Sequence, residues 1–120
     1  MATFRYLVDD VDAATGFYRD ILGFDERQSW GGVFAMLVRD DVELWLSGPE
    51  TSARRPLEDG SRPVPGGWNR MVIRVDNIEE WAQGLREVGA LRNPPITGPG
   101  GAQALAQDPS GNVVELFEAR

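Results

Sequence analysis

One four-residue pattern occurs twice in this chain, and it constrains the fold more than anything else. Val8-Asp9-Asp10-Val11 returns in the second half as Val75-Asp76-Asn77-Ile78. Each copy follows an apolar, alternating stretch and precedes a helix-patterned one. Each helix pattern ends in a glycine, Gly23 in the first half and Gly89 in the second, where a left-handed residue suits a helix end. A repeat of this kind implies two like modules built from one supersecondary plan.

The rest of the chain fills in that plan. Residues 3–8 alternate as a strand, and Asp10 or Asp12 can cap a helix over residues 13–22 with Ala14, Phe17, Tyr18 and Ile21 on one stripe. Strands are expected over 24–30 and 33–39, joined by the two-residue turn Gly31-Gly32, and over 42–47. Residues 48–67 hold four prolines and four glycines and read as a connector between modules, with Arg54 and Arg55 in solvent. The plan then restarts with a strand over 68–75. A helix over 79–88 follows, capped by Asn77, with Trp81, Leu85 and Val88 apolar. Residues 93–97 form an edge strand weakened by Pro94-Pro95, and strands over 102–107 and from Val113 onward complete the module. Each half is β-α-β-β-β, giving an α+β chain of modules 1–47 and 68–120 around the connector. A helix covers one face of each sheet, so the other face needs a different cover.

Composition excludes several chemistries. The 120 residues include no cysteine and no histidine, which removes disulfides, thiolate catalysis, the usual neutral-pH base and any Ser-His-Asp triad. The net charge of −7 repels nucleic acid phosphates, and no apolar run is long enough to span a membrane. No secretory signal pattern opens the chain, so a cytoplasmic location is expected. Every basic residue is arginine.

Asp108-Pro109-Ser110-Gly111-Asn112 is a turn by mechanism: proline presets φ, Gly111 accepts φ > 0, and Asp and Asn bond back to the backbone. After it, Val114 and Leu116 share one face, while Glu115 sits between Val113 and Phe117 on the other. The same alternation places Trp45 beside Glu43, away from Leu44 and Leu46, and Trp68 beside Arg70. Trp30 and Phe34 flank the glycine turn. Arg5, Arg74, Gln103 and Gln107 are further candidates for the helix-free faces.

FYRDILGF in the first half, DPSGNVVELFE at the end, and the SGP, PGGWNR and GPGG segments resemble the vicinal oxygen chelate superfamily. That group contains glyoxalase I, extradiol dioxygenases and bleomycin-resistance proteins. The resemblance covers the whole chain. It implies paired modules whose strands bend into a cupped half-barrel, and a homodimer with sites at the subunit interface. In enzymatic members it also implies a divalent metal on four residues, from the first and fourth strands of each module. Counted from the repeat, the first-strand positions are Thr3 and Arg70, where histidine is usual. The fourth-strand positions are Glu43 or Trp45, and Glu115.

An arginine there works against a metal. Two like unit charges 4 Å apart repel by about 4 kcal/mol at an effective dielectric of 20, and a divalent ion doubles that. The expectation is therefore no metal, no cofactor and no catalytic residue. Arg70 instead pairs with Glu115 or Glu43 through a bidentate fork. The aromatic residues either fill the cup or a dimer interface as core, or wall a cleft for a planar ligand. On the second alternative Trp45, Trp68 and Phe117 stack on the ligand, Arg70, Glu43 and Glu115 orient it, and Phe34, Trp30, Arg5 and Gln103 complete the lining. The resemblance then implies non-catalytic sequestration of a cytotoxic, partly aromatic natural product of bleomycin, mitomycin or enediyne kind. The acidic chain favours a cationic or neutral one. The alternative is a metal-dependent lyase or dioxygenase of glyoxalase type.

Overall fold

In a computed structural model describing Met1–Arg120, the repeat is realised as two four-stranded mixed sheets, each with one α-helix. The first sheet has strand order β1-β4-β3-β2, from β1 (Ala2–Leu7), β2 (Asp25–Trp30), β3 (Phe34–Arg39) and β4 (Val42–Ser47). The second has the same order, β5-β8-β7-β6, from β5 (Val72–Arg74), β6 (Leu91–Gly98), β7 (Gly101–Gln107) and β8 (Val113–Ala119). In both, the first and fourth strands run parallel and the other pairs antiparallel. The fold is α+β, with no closed barrel. The chain divides into two units, Met1–Gly66 with Pro109–Asn112, and Gly67–Asp108 with Val113–Arg120.

In the first unit, α1 (Val11–Gly16) starts where Asp10 turns an extended backbone into helix and accepts the Ala13 N–H at 3.0 Å. Its continuation over Phe17–Ile21 widens, and the Leu22 N–H bonds back to the Phe17 carbonyl at 3.2 Å, five residues earlier. The helix is therefore two residues longer at its start than the apolar stripe suggested. Tyr6, Phe17, Tyr18 and Phe24 pack edge to face beneath it. Leu44, Leu46, Leu37 and Ala35 of the sheet are fully buried against the same core. Complete burial of a leucine contributes about 1.5–3 kcal/mol, so this helix-covered face dominates the unit's stability.

Four local expectations change. The first hairpin has a three-residue loop, Gly31-Gly32-Val33, closed by the Val33 N–H on the Trp30 carbonyl. The strand expected over 68–75 is regular only over Val72–Arg74. The strand at Pro94-Pro95 is longer than expected. It survives because β6 is an edge, and its register shifts on both sides of Asn93 so that neither proline must donate to the ladder. In α2 (Ile78–Glu87) the buried stripe is Ile78, Ala82 and Leu85, while Trp81 is half-buried and Val88 exposed.

Asn77 precedes α2 without capping it through its side chain. Its backbone is left-handed, with φ 57°, and the Ile78 N–H is taken by Glu118 Oε1 at 2.7 Å. The turn from β6 into β7 depends on Gly101, with φ 153°, because a Cβ there would collide with the Glu118 carbonyl.

No helix is long and apolar enough to cross a membrane.

Candidate functional site: two helix-free sheet faces

Strand alternation and register place the candidate residues on the face of each sheet that its helix leaves uncovered. In the first unit Thr3, Arg5 and Leu7 of β1 stand beside Glu43, Trp45 and Ser47 of β4, and these beside Val38, Met36 and Phe34 of β3. Phe34 in turn pairs with Trp30 on the edge strand β2. Three rings follow in sequence across these strands. The centroids of Trp30 and Phe34 are 5.2 Å apart, and those of Phe34 and Trp45 are 5.9 Å apart. Trp30 is 50% exposed, while Phe34 and Trp45 are half-buried.

The polar groups of this wall are each held. The Arg5 guanidinium lies over the Trp45 ring, 5.0 Å from its centroid, and donates from Nη1 to Ser47 Oγ at 2.9 Å. The Trp45 indole N–H donates to Glu43 Oε2 at 2.9 Å, and the Thr3 hydroxyl donates to the same oxygen at 3.4 Å. Of the candidate residues, Arg5, Trp30, Phe34, Glu43 and Trp45 come together on this one sheet face. Sequence reasoning overlooked Met36 and Val38, which the alternation of β3 would have supplied, and the role of Ser47.

In the second unit the corresponding face carries Val72 and Arg74 of β5, Glu115 and Phe117 of β8, and Leu105 and Gln103 of β7. Arg70, just before β5, pairs with Glu115. Its Nε and Nη2 reach the carboxylate at 3.0 and 2.9 Å, and Nη1 donates to the Trp68 carbonyl at 3.2 Å. Of the two carboxylates open to it, Arg70 uses Glu115. The expected two-oxygen fork is not formed, since both nitrogens converge on Oε1. The Arg74 guanidinium lies 5.9 Å from the Phe117 centroid, and that of Arg92 lies 5.2 Å from the Trp68 centroid. Trp68 itself is 60% exposed and outside any strand. A recess of about 380 Å³ opens between Arg74, Val75, Asp76, Phe117 and Ala119.

Register also settles which residues of the two modules correspond. Arg5 pairs with Trp45 in the first sheet, and Val72 pairs with Glu115 in the second. The Val8 N–H bonds to the Ser47 carbonyl, and the Val75 N–H to the Phe117 carbonyl. With Val8 matching Val75, Trp45 matches Glu115 and Ser47 matches Phe117. Glu43 is one rung away. The four positions that the family resemblance gives to metal ligands are thus Thr3 and Trp45 in one unit, and Arg70 and Glu115 in the other. An indole N–H and a guanidinium have no lone pair to offer, so this donor set does not fit a divalent ion. No three His, Cys, Asp or Glu side chains are grouped to hold one elsewhere.

The turn Asp108–Asn112 has a structural role that local sequence did not reveal. Asn112 is buried and donates from Nδ2 to the Leu7 carbonyl at 2.7 Å, while its Oδ1 accepts the Gly66 N–H at 2.8 Å. Ser110 Oγ accepts the Asp9 N–H at 2.9 Å. Arg54, expected in solvent, is 13% exposed at its side chain. It donates to the Pro63 and Val8 carbonyls at 3.1 and 2.9 Å and to Asp9 Oδ1 at 3.3 Å. Together these bonds clasp the junction between β1 and α1. The carboxyls held below their usual range lie on neither face: Asp20 is bonded by Arg19 on the first helix, and Asp59 by Ser61 in the connector.

The sequence profile of the Glyoxalase/Bleomycin resistance protein/Dioxygenase superfamily matches residues 1–116. Among solved structures, the antibiotic-binding protein TnmS3 from Streptomyces sp. CB03234 is 27% identical, with a TM-score of 0.75 over 98% of this chain and 93% of its own. A lactoylglutathione lyase from Agrobacterium tumefaciens is 24% identical, with a TM-score of 0.78 over 98% of this chain and 92% of its own. UcmS2 is 24% identical, with a TM-score of 0.69 over 98% of this chain and 96% of its own. The last two likenesses concern the fold alone. No curated protein sequence matches this one.

Proposed function

We propose that this chain, which belongs to the glyoxalase/bleomycin resistance protein/dioxygenase superfamily, binds a planar, partly aromatic small molecule without transforming it. The observation that carries this reading is the ring wall Trp30-Phe34-Trp45, flanked by Arg5 and Glu43 on the sheet face opposite the helix. Flat apolar walls with a few fixed polar groups suit a flat ligand that needs orienting. The antibiotic-binding neighbour at 27% identity supports the same class of ligand, a cytotoxic natural product that the protein would sequester. A metal-dependent lyase is disfavoured, because a tryptophan and an arginine stand at two of the four ligand positions. Half-exposed apolar residues, Trp68, Val72 and Ile96, support a homodimer as the working form.

Fluorescence titration with a panel of planar antibiotics tests the reading. Saturable quenching by at least one compound is expected, and Trp45→Ala should weaken that binding about tenfold or more. Quenching that persists unchanged in Trp45→Ala would move the site elsewhere. Silence across the panel would remove the binding function.

A further inference from the structure

The polar groups of these faces carry information about the charge of the ligand. Twelve arginines supply all of the basic side chains. Arg19, Arg27, Arg39, Arg54 and Arg70 sit in ion pairs with carboxylates. Arg5 and Arg74 do not. Each lies on the first strand of its module, on the helix-free face, over the ring of its own register partner: Arg5 over Trp45 and Arg74 over Phe117.

The same construction therefore appears in both units, displaced by one rung of the ladder. The ring contact holds each guanidinium beside an aromatic face while leaving the positive charge intact. Arg5 spends one N–H on Ser47 Oγ, and its other in-plane donors remain. The carboxylate of the first face, Glu43, is bonded by Trp45 and Thr3 and forms no ion pair with Arg5. Each of these arginines thus has one carboxylate nearby, Glu43 in the first unit and Asp76 in the second, and Arg5 is distinguished by its place beside the ring wall of Trp30, Phe34 and Trp45.

Resting on the binding reading above, we infer that the ligand presents a negatively charged oxygen group in the plane of its aromatic system, a carboxylate or phenolate, and that Arg5 selects it. Its ring then continues the Trp45 stack while its oxygens meet the edge of the guanidinium, as charge-assisted bonds in one plane. This reverses the preference for a cationic or neutral ligand that the net charge of −7 suggests. Charges more than about 8 Å away are largely screened at physiological salt, and a contact at 3 Å is not.

Calorimetric titration of the full chain with 2-naphthoate, 2-naphthamide and 2-naphthylmethylammonium separates the possibilities, because the three probes share one ring system. Naphthoate should bind tightest, by about tenfold over the amide. Arg5→Met should abolish that difference while leaving the amide within about threefold of its original affinity, and Arg5→Lys should restore part of it. Arg74→Met, on the other unit, should leave the naphthoate preference largely in place. Equal binding of all three probes, or preference for the ammonium, overturns the charge assignment and leaves the binding reading intact. Equal weakening of all three by Arg5→Met also overturns it, by reducing Arg5 to support for Trp45. If none of the three binds, the charge assignment falls, and the binding reading falls with it only where the antibiotic panel is silent too.

Discussion

The two modules start from nearly the same four residues and finish their helix junctions by different means. In the first, Asp10 keeps an extended backbone and caps α1 with its own side chain. In the second, Asn77 turns left-handed and the cap comes from Glu118, at the far end of β8. The first junction is also clasped from outside by Asn112, Ser110 and Arg54. The sheet faces diverge in the same way, since Trp45 and Ser47 on one strand answer to Glu115 and Phe117 on the other. A repeated sequence therefore preserves the backbone plan while the side chains that secure it are redistributed.

The largest test of this contrast is Asn112. Replacing it with alanine strands the Leu7 carbonyl and the Gly66 N–H, both served by one buried amide. Each unsatisfied group costs about 1–3 kcal/mol, so Asn112→Ala should destabilise by about 2–4 kcal/mol and lower Tm by on the order of 10 °C. Asn112→Asp keeps an acceptor for Gly66 but turns a carboxylate oxygen toward the Leu7 carbonyl at a buried position, so thermal denaturation should show it at least as damaging as alanine. If Asn112→Ala melts like the parent protein, the clasp is incidental and the junctions are alike after all.

What the sequence made legible follows from how local the signal was. Alternation along β3 and β4 needs only neighbours, so the helix-free wall of Trp45, Phe34 and Glu43 could be read directly. The correspondence of Glu115 with Trp45, as opposed to Glu43, depends on which residues pair across strands. A period of two leaves both choices on the same face. The clasp was beyond reach, because Asn112 and Leu7 are 105 positions apart and Asn112 already satisfied every rule for a turn residue. Arg54 was misread for the same reason: nothing local distinguishes it from Arg55.

Those adjacent arginines provide the second test. Arg54 makes charge-assisted bonds to two carbonyls and to Asp9, while Arg55 is exposed. Arg54→Ala should cost about 2–3 kcal/mol in urea denaturation, and Arg55→Ala no more than about 0.5 kcal/mol. Equal effects would return the connector to the solvated role that its composition suggests.

The smallest effects discriminate most finely, at the two helix starts. Asp10→Ala removes a true side-chain cap and should cost about 1 kcal/mol. At Asn77 the side chain caps nothing, so what matters is the left-handed backbone, φ 57°. Glycine adopts that conformation without penalty and alanine does not. Asn77→Gly should therefore be close to neutral, while Asn77→Ala costs about 1 kcal/mol. Glu118→Ala should also cost about 1 kcal/mol, because the carboxylate both accepts the Ile78 N–H and meets the positive end of α2. If Asn77 worked as Asp10 does, alanine would remove its cap and Glu118 would be dispensable. Denaturation curves showing that Glu118→Ala is silent, and Asn77→Gly as damaging as Asn77→Ala, would make the two junctions equivalent. The opposite pattern would show one sequence repeat carrying two different helix caps.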